Sequence, residues 1–218
     1  MRDTAKENPD KALRRKVFLE KGYELFTAKN IDSVSLQDVA NAAGYGIATL
    51  YRYFVNKPNL VIEIAAWKWS ETITENQKRR PIKNFDGMTA ADIFEFYIDS
   101  FLELYRNHRD LLRFNQFFNI YIRAEHINPD ILKPYQAVIE VIGAEFHNMY
   151  IKAEQDKTIR TDISEKEMFS TTLHLMLAVV TRYAVGLVYK PESWFNAENE
   201  LNIMKEMIIL KYKGENSK

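Results

Sequence analysis

Residues 35–57 constrain the fold of this chain most, because they encode two short helices joined by a glycine turn. Ser35 can cap the first helix, and Asp38 stands three residues later, as in a capping box. Gly44 ends that helix, and a second helical run is predicted over Ile47–Phe54. Two helices joined by a glycine turn, the second with hydrogen-bonding side chains, are typical of a helix-turn-helix. The segment therefore predicts binding to DNA.

The composition favours a helical protein and excludes several other classes. The 218 residues include only seven Gly and six Pro, which favours long helices over many-stranded sheets. The absence of Cys excludes a disulfide framework and a thiolate metal site. The longest apolar run, residues 175–180, is too short to cross a bilayer, and the polar N-terminus lacks a signal-peptide core. We therefore expect a soluble, cytoplasmic protein.

The charge distribution is compatible with a small DNA-binding module, although the formal net charge of the chain is zero. Residues 1–57 carry ten Lys and Arg against seven Asp and Glu, and the remaining residues carry the balancing negative excess. A local positive excess of this kind matters more for an encounter with DNA than the total charge does.

Hydrophobic periodicity predicts helices along the whole chain, with no strand alternation and no internal repeat. An amphipathic helix is expected over Pro9–Lys29, with the proline in its first turn, and a long helix is expected after Lys57. A helix after Ser164 is expected to run to Lys190, just before a proline. Other helices are predicted to begin near Thr89, Asn128 and Asn196. The chain is predicted to be all-α.

The N-terminal pattern combines the amphipathic first helix, the segments SLQDVANAAG and TLYRYF, an Asn-Lys pair and a long fourth helix. In apolar spacing, glycine position and aromatic pattern it resembles the TetR family of bacterial transcriptional regulators. The resemblance implies an N-terminal three-helix helix-turn-helix domain in residues 1–57. It also implies a helical ligand-binding and dimerisation domain in residues 58–218. A family member is expected to be a homodimer that binds a palindromic operator and is released by a small ligand.

The resemblance also implies which residues meet DNA. Thr49, Tyr53 and Lys57 are expected at phosphates, with Ser35 beside the DNA backbone, and such hydroxyls and ammonium groups suit phosphate oxygens. A second set falls where the family reaches into the major groove: Gln37, Gly46, Ile47, Ala48, Tyr51 and Arg52. In that groove Gln can read adenine, Arg can read guanine, and Ile can touch a thymine methyl group.

The start of the recognition helix departs from the commoner family pattern. Gly46 and Ile47 stand where many members have a polar pair such as Ser-Lys, which affects base readout more than DNA binding itself. Ile47 also lies three residues before Leu50 and seven before Phe54, the spacing of one buried stripe. Ile47 therefore belongs either to the surface that faces the groove or to the core.

Aromatic side chains in the second part of the chain are candidates for an effector cavity. The candidate lining residues are Tyr97, Phe101, Phe114, Phe117, Phe118, Tyr121, His174 and Tyr183. Aromatic stripes at helical spacing more often form an ordinary core, and a hydrogen-bonded core histidine is the preferred interpretation of His174. If the cavity exists, it predicts a small hydrophobic or aromatic effector.

The last two long helices are apolar on two faces. Leu173 and Leu175 lie on different stripes of the first of them, and Met204 and Met207 lie on different faces of the second. A helix that is apolar on two faces must be covered on both. We expect the second cover to be another copy of the chain, in a two-fold four-helix interface, as the resemblance also implies.

Enzymatic alternatives find little support in the sequence. There is no glycine-rich phosphate loop, no pair of His at metal-ligand spacing and no Glu-x-x-His motif. We therefore predict no catalytic role, no metal and no cofactor, but a DNA-binding transcriptional regulator, most simply a ligand-released repressor. The alternative is a helical small-molecule-binding or protein-interaction module without specific DNA recognition, which Gly46 and Ile47 keep open.

Overall fold

The computed structural model describes residues 9–79, 87–187, 189 and 196–216. These residues form the helices α1 Pro9–Lys29, α2 Leu36–Ala42, α3 Ile47–Tyr51, α4 Lys57–Arg79, α5 Ala90–Asn107, α6 Arg109–Ala124, α7 Lys133–Asp156, α8 Glu165–Val185 and α9 Ala197–Tyr212. A 3-10 helix, Pro129–Leu132, precedes α7. Within the described ranges, strand-like pairing is limited to an isolated antiparallel bridge between Ile159 and Lys213. The prediction of an all-α fold is confirmed.

Most helices begin where the capping signals predicted. Thr89 and Asp92 form a reciprocal capping box at the start of α5: the Thr89 hydroxyl accepts from the Asp92 N–H at 3.2 Å, and Asp92 Oδ2 accepts from the Thr89 N–H at 2.8 Å. The Asn196 side chain accepts from the N–H of Asn199 at 3.2 Å and so caps α9. Such caps act within one turn of chain, which is why the sequence reveals them.

Two helix ends differ from the sequence prediction. α3 stops at Tyr51 rather than Phe54, because the N–H of Tyr53 donates to the carbonyl of Leu50 at 2.9 Å in a tighter turn. α8 stops at Val185 rather than Lys190, because Gly186 has a φ of 107°, outside the helical region.

The described residues form two compact units. The first contains the residues up to Glu71 together with Phe114–Ala137, and the second contains Thr72–Arg113 and the residues from Val138 onward. α4, α6 and α7 therefore each contribute residues to both units. The predicted functional division at residue 57 stays a prediction. The compact units divide the chain elsewhere, because the early part of α4 packs with the N-terminal helices and buries Leu60 and Ile64.

In the second unit, α5 lies at the centre and packs against α8 and α9. The ring of Phe94 on α5 is fully buried and meets the rings of Phe146 at 6.1 Å and Tyr212 at 5.7 Å. Across the α5–α9 contact, the ammonium of Lys205 lies 2.7 Å from carboxylate oxygens of both Glu95 and Asp99. Aromatic packing thus joins α5 to α7 and α9, and one ion cluster strengthens the contact between α5 and α9.

α8 is apolar on two sides, but the chain buries only one of them. Met176 and Val180 are fully buried, whereas Leu175 on the other side is 47% exposed. Among the described helices, α8 alone is long and apolar enough to cross a membrane by length and composition. The core helix of a soluble protein passes the same test, so this observation is weak evidence for a membrane span.

Candidate DNA-binding site

The start of α2 is fixed by a reciprocal capping box. The hydroxyl oxygen of Ser35 accepts from the Asp38 N–H at 3.1 Å, and Asp38 Oδ2 accepts from the Ser35 N–H at 2.8 Å. The Ser35 hydroxyl also donates to Asp38 Oδ2 at 2.7 Å. Hydrogen bonds from the side chain and backbone of Ser35 lower the pKa of Asp38. A DNA phosphate would have to compete with this carboxylate for the Ser35 hydroxyl.

The turn between α2 and α3 depends on a glycine in the left-handed region. Gly44 has a φ of 76°, and its N–H donates to the carbonyl of Asn41 at 3.1 Å. The next residue, Tyr45, closes the turn because its N–H donates to the carbonyl of Ala40 at 3.0 Å. Gly46 then stands at the N-cap of α3 without a side-chain hydrogen bond. Backbone hydrogen bonds therefore hold the turn, without a side-chain cap at the start of α3.

One buried ring on α1 packs against both ends of the recognition segment, by which we mean residues 45–55 around α3. Phe18 is fully buried, and its ring centroid lies 5.3 Å from that of Tyr45 and 5.7 Å from that of Tyr53. Phe54 meets the same ring edge-on at 6.3 Å. Tyr45 and Tyr53 are half-buried, so aromatic packing holds each ring while part of each side chain stays at the surface. This arrangement orients α3 against α1.

The exposed surface of the recognition segment is largely apolar. Tyr51 is 53% exposed and Val55 is 78% exposed, and Arg52 is the exposed cation between them. Gly46 and Ala48 are also exposed, and Thr49 is half-buried. Ile47 is half-buried too, whereas Leu50 and Phe54 are inaccessible to solvent. The predicted groove-facing residues of α3 therefore keep accessible surface, and that of Ile47 is partial.

Gln37 lies on the exposed side of α2, where its side chain already has a partner. Its Nε2 donates to Oδ1 of Asn41 at 2.8 Å, one helical turn later. Sequence reasoning did not select Asn41, although its spacing of four residues from Gln37 was the signal. The predicted contacts also omit Tyr45, whose ring packs on Phe18, and Val55, which is 78% exposed.

Lys57 begins α4 and is held by groups from two other elements. Its ammonium lies 3.5 Å from the carbonyl oxygen of Asp32 and 5.7 Å from the ring centroid of Tyr121. Burial lowers the pKa of Lys57, and the carboxylates of Asp32 and Glu125 act in the opposite direction. The side chain is half-buried and not a freely extended surface cation.

The candidate effector residues are divided between the two compact units. Phe114, Phe117, Phe118 and Tyr121 belong to the first unit, and Tyr97, Phe101, His174 and Tyr183 belong to the second. In the first unit the Phe114 ring meets Tyr23 at 5.3 Å, and the Phe118 ring meets Tyr135 at 4.8 Å. Tyr121 faces Lys57, as described above. These contacts are those of the core beneath the helix-turn-helix.

In the second unit, Tyr97 joins the largest aromatic group. Its ring lies 6.5 Å from that of Phe146, and its hydroxyl donates to the carbonyl of Glu145 at 2.9 Å. Burial raises the pKa of the Glu145 carboxyl, against a hydrogen bond from the Gln77 amide at 2.9 Å that acts to lower it. Tyr183 instead donates to Glu200, Phe101 is half-buried, and His174 is exposed on α8. Tyr97 thus packs in an aromatic cluster of the second unit, whereas His174 lies at the surface of α8.

The sequence of this region and the fold of the chain both match known bacterial regulators. Residues 16–64 match the model of the bacterial regulatory proteins of the tetR family. No curated protein matches the chain.

Solved structures of three regulators share the fold. The fatty acid degradation regulator FadR from Bacillus halodurans aligns with a TM-score of 0.68 at 11% identity, over 96% of this chain and 100% of that one. The ketosteroid transcriptional regulator KstR2 of Mycobacterium tuberculosis aligns with a TM-score of 0.61 at 12% identity, over 93% and 96%.

A tetR-family regulatory protein from Rhodococcus RHA1 aligns with a TM-score of 0.68 at 10% identity, over 92% of this chain and 97% of that one. At such low identity the alignments establish the fold, whereas the family match at residues 16–64 concerns the helix-turn-helix itself. The helix-turn-helix region of this chain therefore matches that of the tetR family of bacterial regulatory proteins, and the chain has the all-α fold of those regulators.

Proposed function

We propose that this protein is a cytoplasmic transcriptional repressor that binds a palindromic operator as a homodimer and is released by a small effector. The observation that carries the proposal is the anchoring of the recognition segment. The Phe18 ring packs against Tyr45 and Tyr53 on both sides of α3, so the exposed face of that helix has a fixed orientation. A recognition helix must be held in this way to enter the major groove in one register.

The proposed phosphate contacts are Thr49, Tyr53 and Lys57, with Ser35 beside the backbone. The proposed contacts in the major groove are Gln37, Gly46, Ile47, Ala48, Tyr51 and Arg52. Tyr53 and Lys57 support this assignment best, because packing confines both side chains before DNA arrives. A confined side chain loses less conformational freedom when it binds a phosphate.

The proposed effector is small and hydrophobic or aromatic, and residues 58–218 are proposed to bind it. The ring cluster of Tyr97, Phe146 and Phe169 supports this class, together with the polar group formed by Gln77 and Glu145. Two proteins of the same fold are named for ketosteroid and fatty acid regulation, and both compounds are largely apolar. Release would follow if the effector binds better to a conformation in which the recognition helices no longer match successive grooves.

The test is DNA binding by a variant that lacks two proposed phosphate contacts. We expect the wild-type protein to bind a fragment of the DNA that flanks its own gene. The double variant Tyr53→Phe, Lys57→Ala is expected to bind it more weakly, because two phosphate contacts are lost. Its salt slope is expected to be shallower by about one unit, because Lys57→Ala removes one cationic phosphate contact. Fluorescence anisotropy at several salt concentrations measures both quantities.

A charge-matched control separates a specific contact from a change in net charge. Lys166→Ala removes an exposed cation of α8, far along the chain from the helix-turn-helix, and is expected to keep the wild-type salt slope. A double variant with the wild-type salt slope would contradict the phosphate assignment. Wild-type protein that binds no DNA more tightly than a mixed-sequence duplex would favour a helical small-molecule-binding or protein-interaction module instead.

A further inference from the structure

Tyr121 on α6 lies beside the cation that we expect at a DNA phosphate. Its ring centroid is 5.7 Å from the ammonium nitrogen of Lys57, and its side chain is only 3% exposed. The sequence suggested Tyr121 as a lining residue of an effector cavity. Packing places it in the compact unit that contains the helix-turn-helix.

Three further groups surround the ammonium of Lys57. The carbonyl oxygen of Asp32 lies 3.5 Å from it. The carboxylates of Asp32 and Glu125 favour the charged form of Lys57 and disfavour ionisation of the Tyr121 phenol. Burial, together with the carboxylates of Glu125 and Asp32, raises the pKa of Tyr121 to about 12, so the phenol is neutral at physiological pH. The ring therefore presents a neutral aromatic face to the ammonium.

These contacts confine the ammonium but leave it capacity to bind an anion. An ammonium group has three N–H donors, and the distance of 3.5 Å to Asp32 exceeds that of a typical N–H···O hydrogen bond. A ring face attracts the charge without replacing an oxygen acceptor. A phosphate can therefore still accept hydrogen bonds from Lys57 while the ring restricts its side chain.

We propose that Tyr121 is a positioning residue for DNA binding, whose ring holds the ammonium of Lys57 where a backbone phosphate meets it. This inference rests on the proposed function, because it takes Lys57 as a phosphate contact. It adds a residue of α6, outside the helix-turn-helix, to the determinants of DNA affinity. Glu125 directly follows α6, and its carboxylate acts on the charge of Lys57. The proposal therefore also makes Glu125 a competitor of the phosphate for the Lys57 ammonium.

The first test is a double-mutant cycle on the full chain with mixed-sequence duplex DNA, since phosphate contacts do not depend on sequence. Tyr121→Leu removes the ring and is expected to weaken binding about two- to fivefold, the range that a cation–π contact supports. Tyr121→Phe keeps the ring and is expected to restore most of that loss. In a Lys57→Ala background Tyr121→Leu is expected to have no further effect.

A second variant avoids any change in the core. Glu125→Gln removes an exposed carboxylate, and we expect it to strengthen DNA binding in the wild-type background but not in the Lys57→Ala background. Glu140→Gln, which removes an exposed carboxylate on α7, is the control for net charge and is expected to affect both backgrounds equally. Equal effects of Glu125→Gln in the two backgrounds would overturn its assignment as a competitor.

A measurement without DNA separates this inference from the proposed function. NMR relaxation of the lysine side chains reports the mobility of the Lys57 ammonium, which we expect to increase in Tyr121→Leu because the ring no longer restricts it. An unchanged mobility, or weaker DNA binding by Tyr121→Leu that persists in the Lys57→Ala background, would overturn the positioning role. If Lys57→Ala alone leaves DNA affinity and salt slope unchanged, the phosphate assignment of Lys57 in the proposed function is wrong.

Discussion

At the scale of single residues, α3 offers DNA few hydrogen-bonding side chains. Tyr51 and Val55 are exposed large apolar side chains of the recognition segment, and Ile47 keeps part of its surface. Aliphatic groups read a duplex mainly through contact with the C5 methyl group of thymine in the major groove. We therefore expect thymine methyl groups to contribute to operator recognition.

Replacement of thymine by deoxyuridine tests this expectation for Ile47, since it removes only the methyl group. With an operator selected from a random pool, we expect at least one such replacement per half-site to weaken binding about fourfold, the value of one buried methyl group. The Ile47→Ala variant is expected to lose this sensitivity at the same position. Competition binding with single-substituted duplexes measures both effects.

Replacements outside the protected sequence are the control and are expected to change nothing. If Ile47→Ala discriminates every deoxyuridine duplex as the wild type does, Ile47 does not contact a methyl group. In that case the partial burial of its side chain has a purely structural role.

The sequence could suggest most of these residues but not their surroundings. Ser35 and Asp38 were paired correctly, because a capping box is local in the chain. The neighbours of Lys57 were not predicted, because Tyr121 is 64 residues away and reaches it only through tertiary packing. The spacing of Ile47 suited both core and groove, and the structure gives it an intermediate exposure.

At the scale of helices, beginnings were predicted better than ends. A side-chain cap fixes where a helix starts, whereas α8 ends before Gly186 and not at Lys190, where the following proline had suggested its end. α5 shows a mixed case, because residues from the end of α7 complete its first turn. The N–H of Ala90 donates to Asp156 Oδ2 at 2.7 Å, and the N–H of Ala91 donates to the Thr158 hydroxyl at 3.0 Å.

Asp156 is therefore expected to stabilise the second unit in a pH-dependent way. Its partial burial acts to raise its pKa, but hydrogen bonds from the N–H groups of Thr158 and Ala90 outweigh burial and lower the pKa below its ordinary value of 3.8. A carboxyl whose folded pKa is depressed adds stability above its unfolded pKa and loses it as pH falls through the folded pKa. The contribution is thus complete at neutral pH and disappears in acid below the ordinary value.

We expect Asp156→Asn to lower the free energy of unfolding by about 1 kcal/mol at neutral pH, since the site is partly open to solvent. Urea unfolding at a series of pH values measures the difference, which is expected to shrink below the ordinary pKa of an aspartate. Glu154→Gln removes an exposed charge two residues away and is the control. A difference that is constant from neutral to acidic pH would show that the charge of Asp156 contributes nothing.

At the scale of the whole molecule, α8 and α9 each carry exposed apolar side chains on one face. Leu201 and Ile208 of α9 are buried, whereas Met207 is 59% exposed and Leu210 is 73% exposed. On α8, Leu175 and Val185 are also exposed. The sequence predicted two apolar faces on each helix, but periodicity alone cannot say which face the chain itself covers, and His174 lies on the uncovered one.

A second copy of the chain would cover this surface, and a homodimer would also bring two recognition helices to successive major grooves, about 34–36 Å apart. We expect Met207→Glu to dissociate the dimer, because a charge buried in an apolar interface has no partner. Val141→Glu, at an α7 residue with a similar exposed fraction of 52%, is the control and is expected to leave the dimer intact. Light scattering after gel filtration measures the mass.

The dissociated variant is expected to lose operator affinity by orders of magnitude, because each half-site then binds independently. A monomeric wild type, or a Met207→Glu variant that stays dimeric, would mean that the copies do not associate through α9.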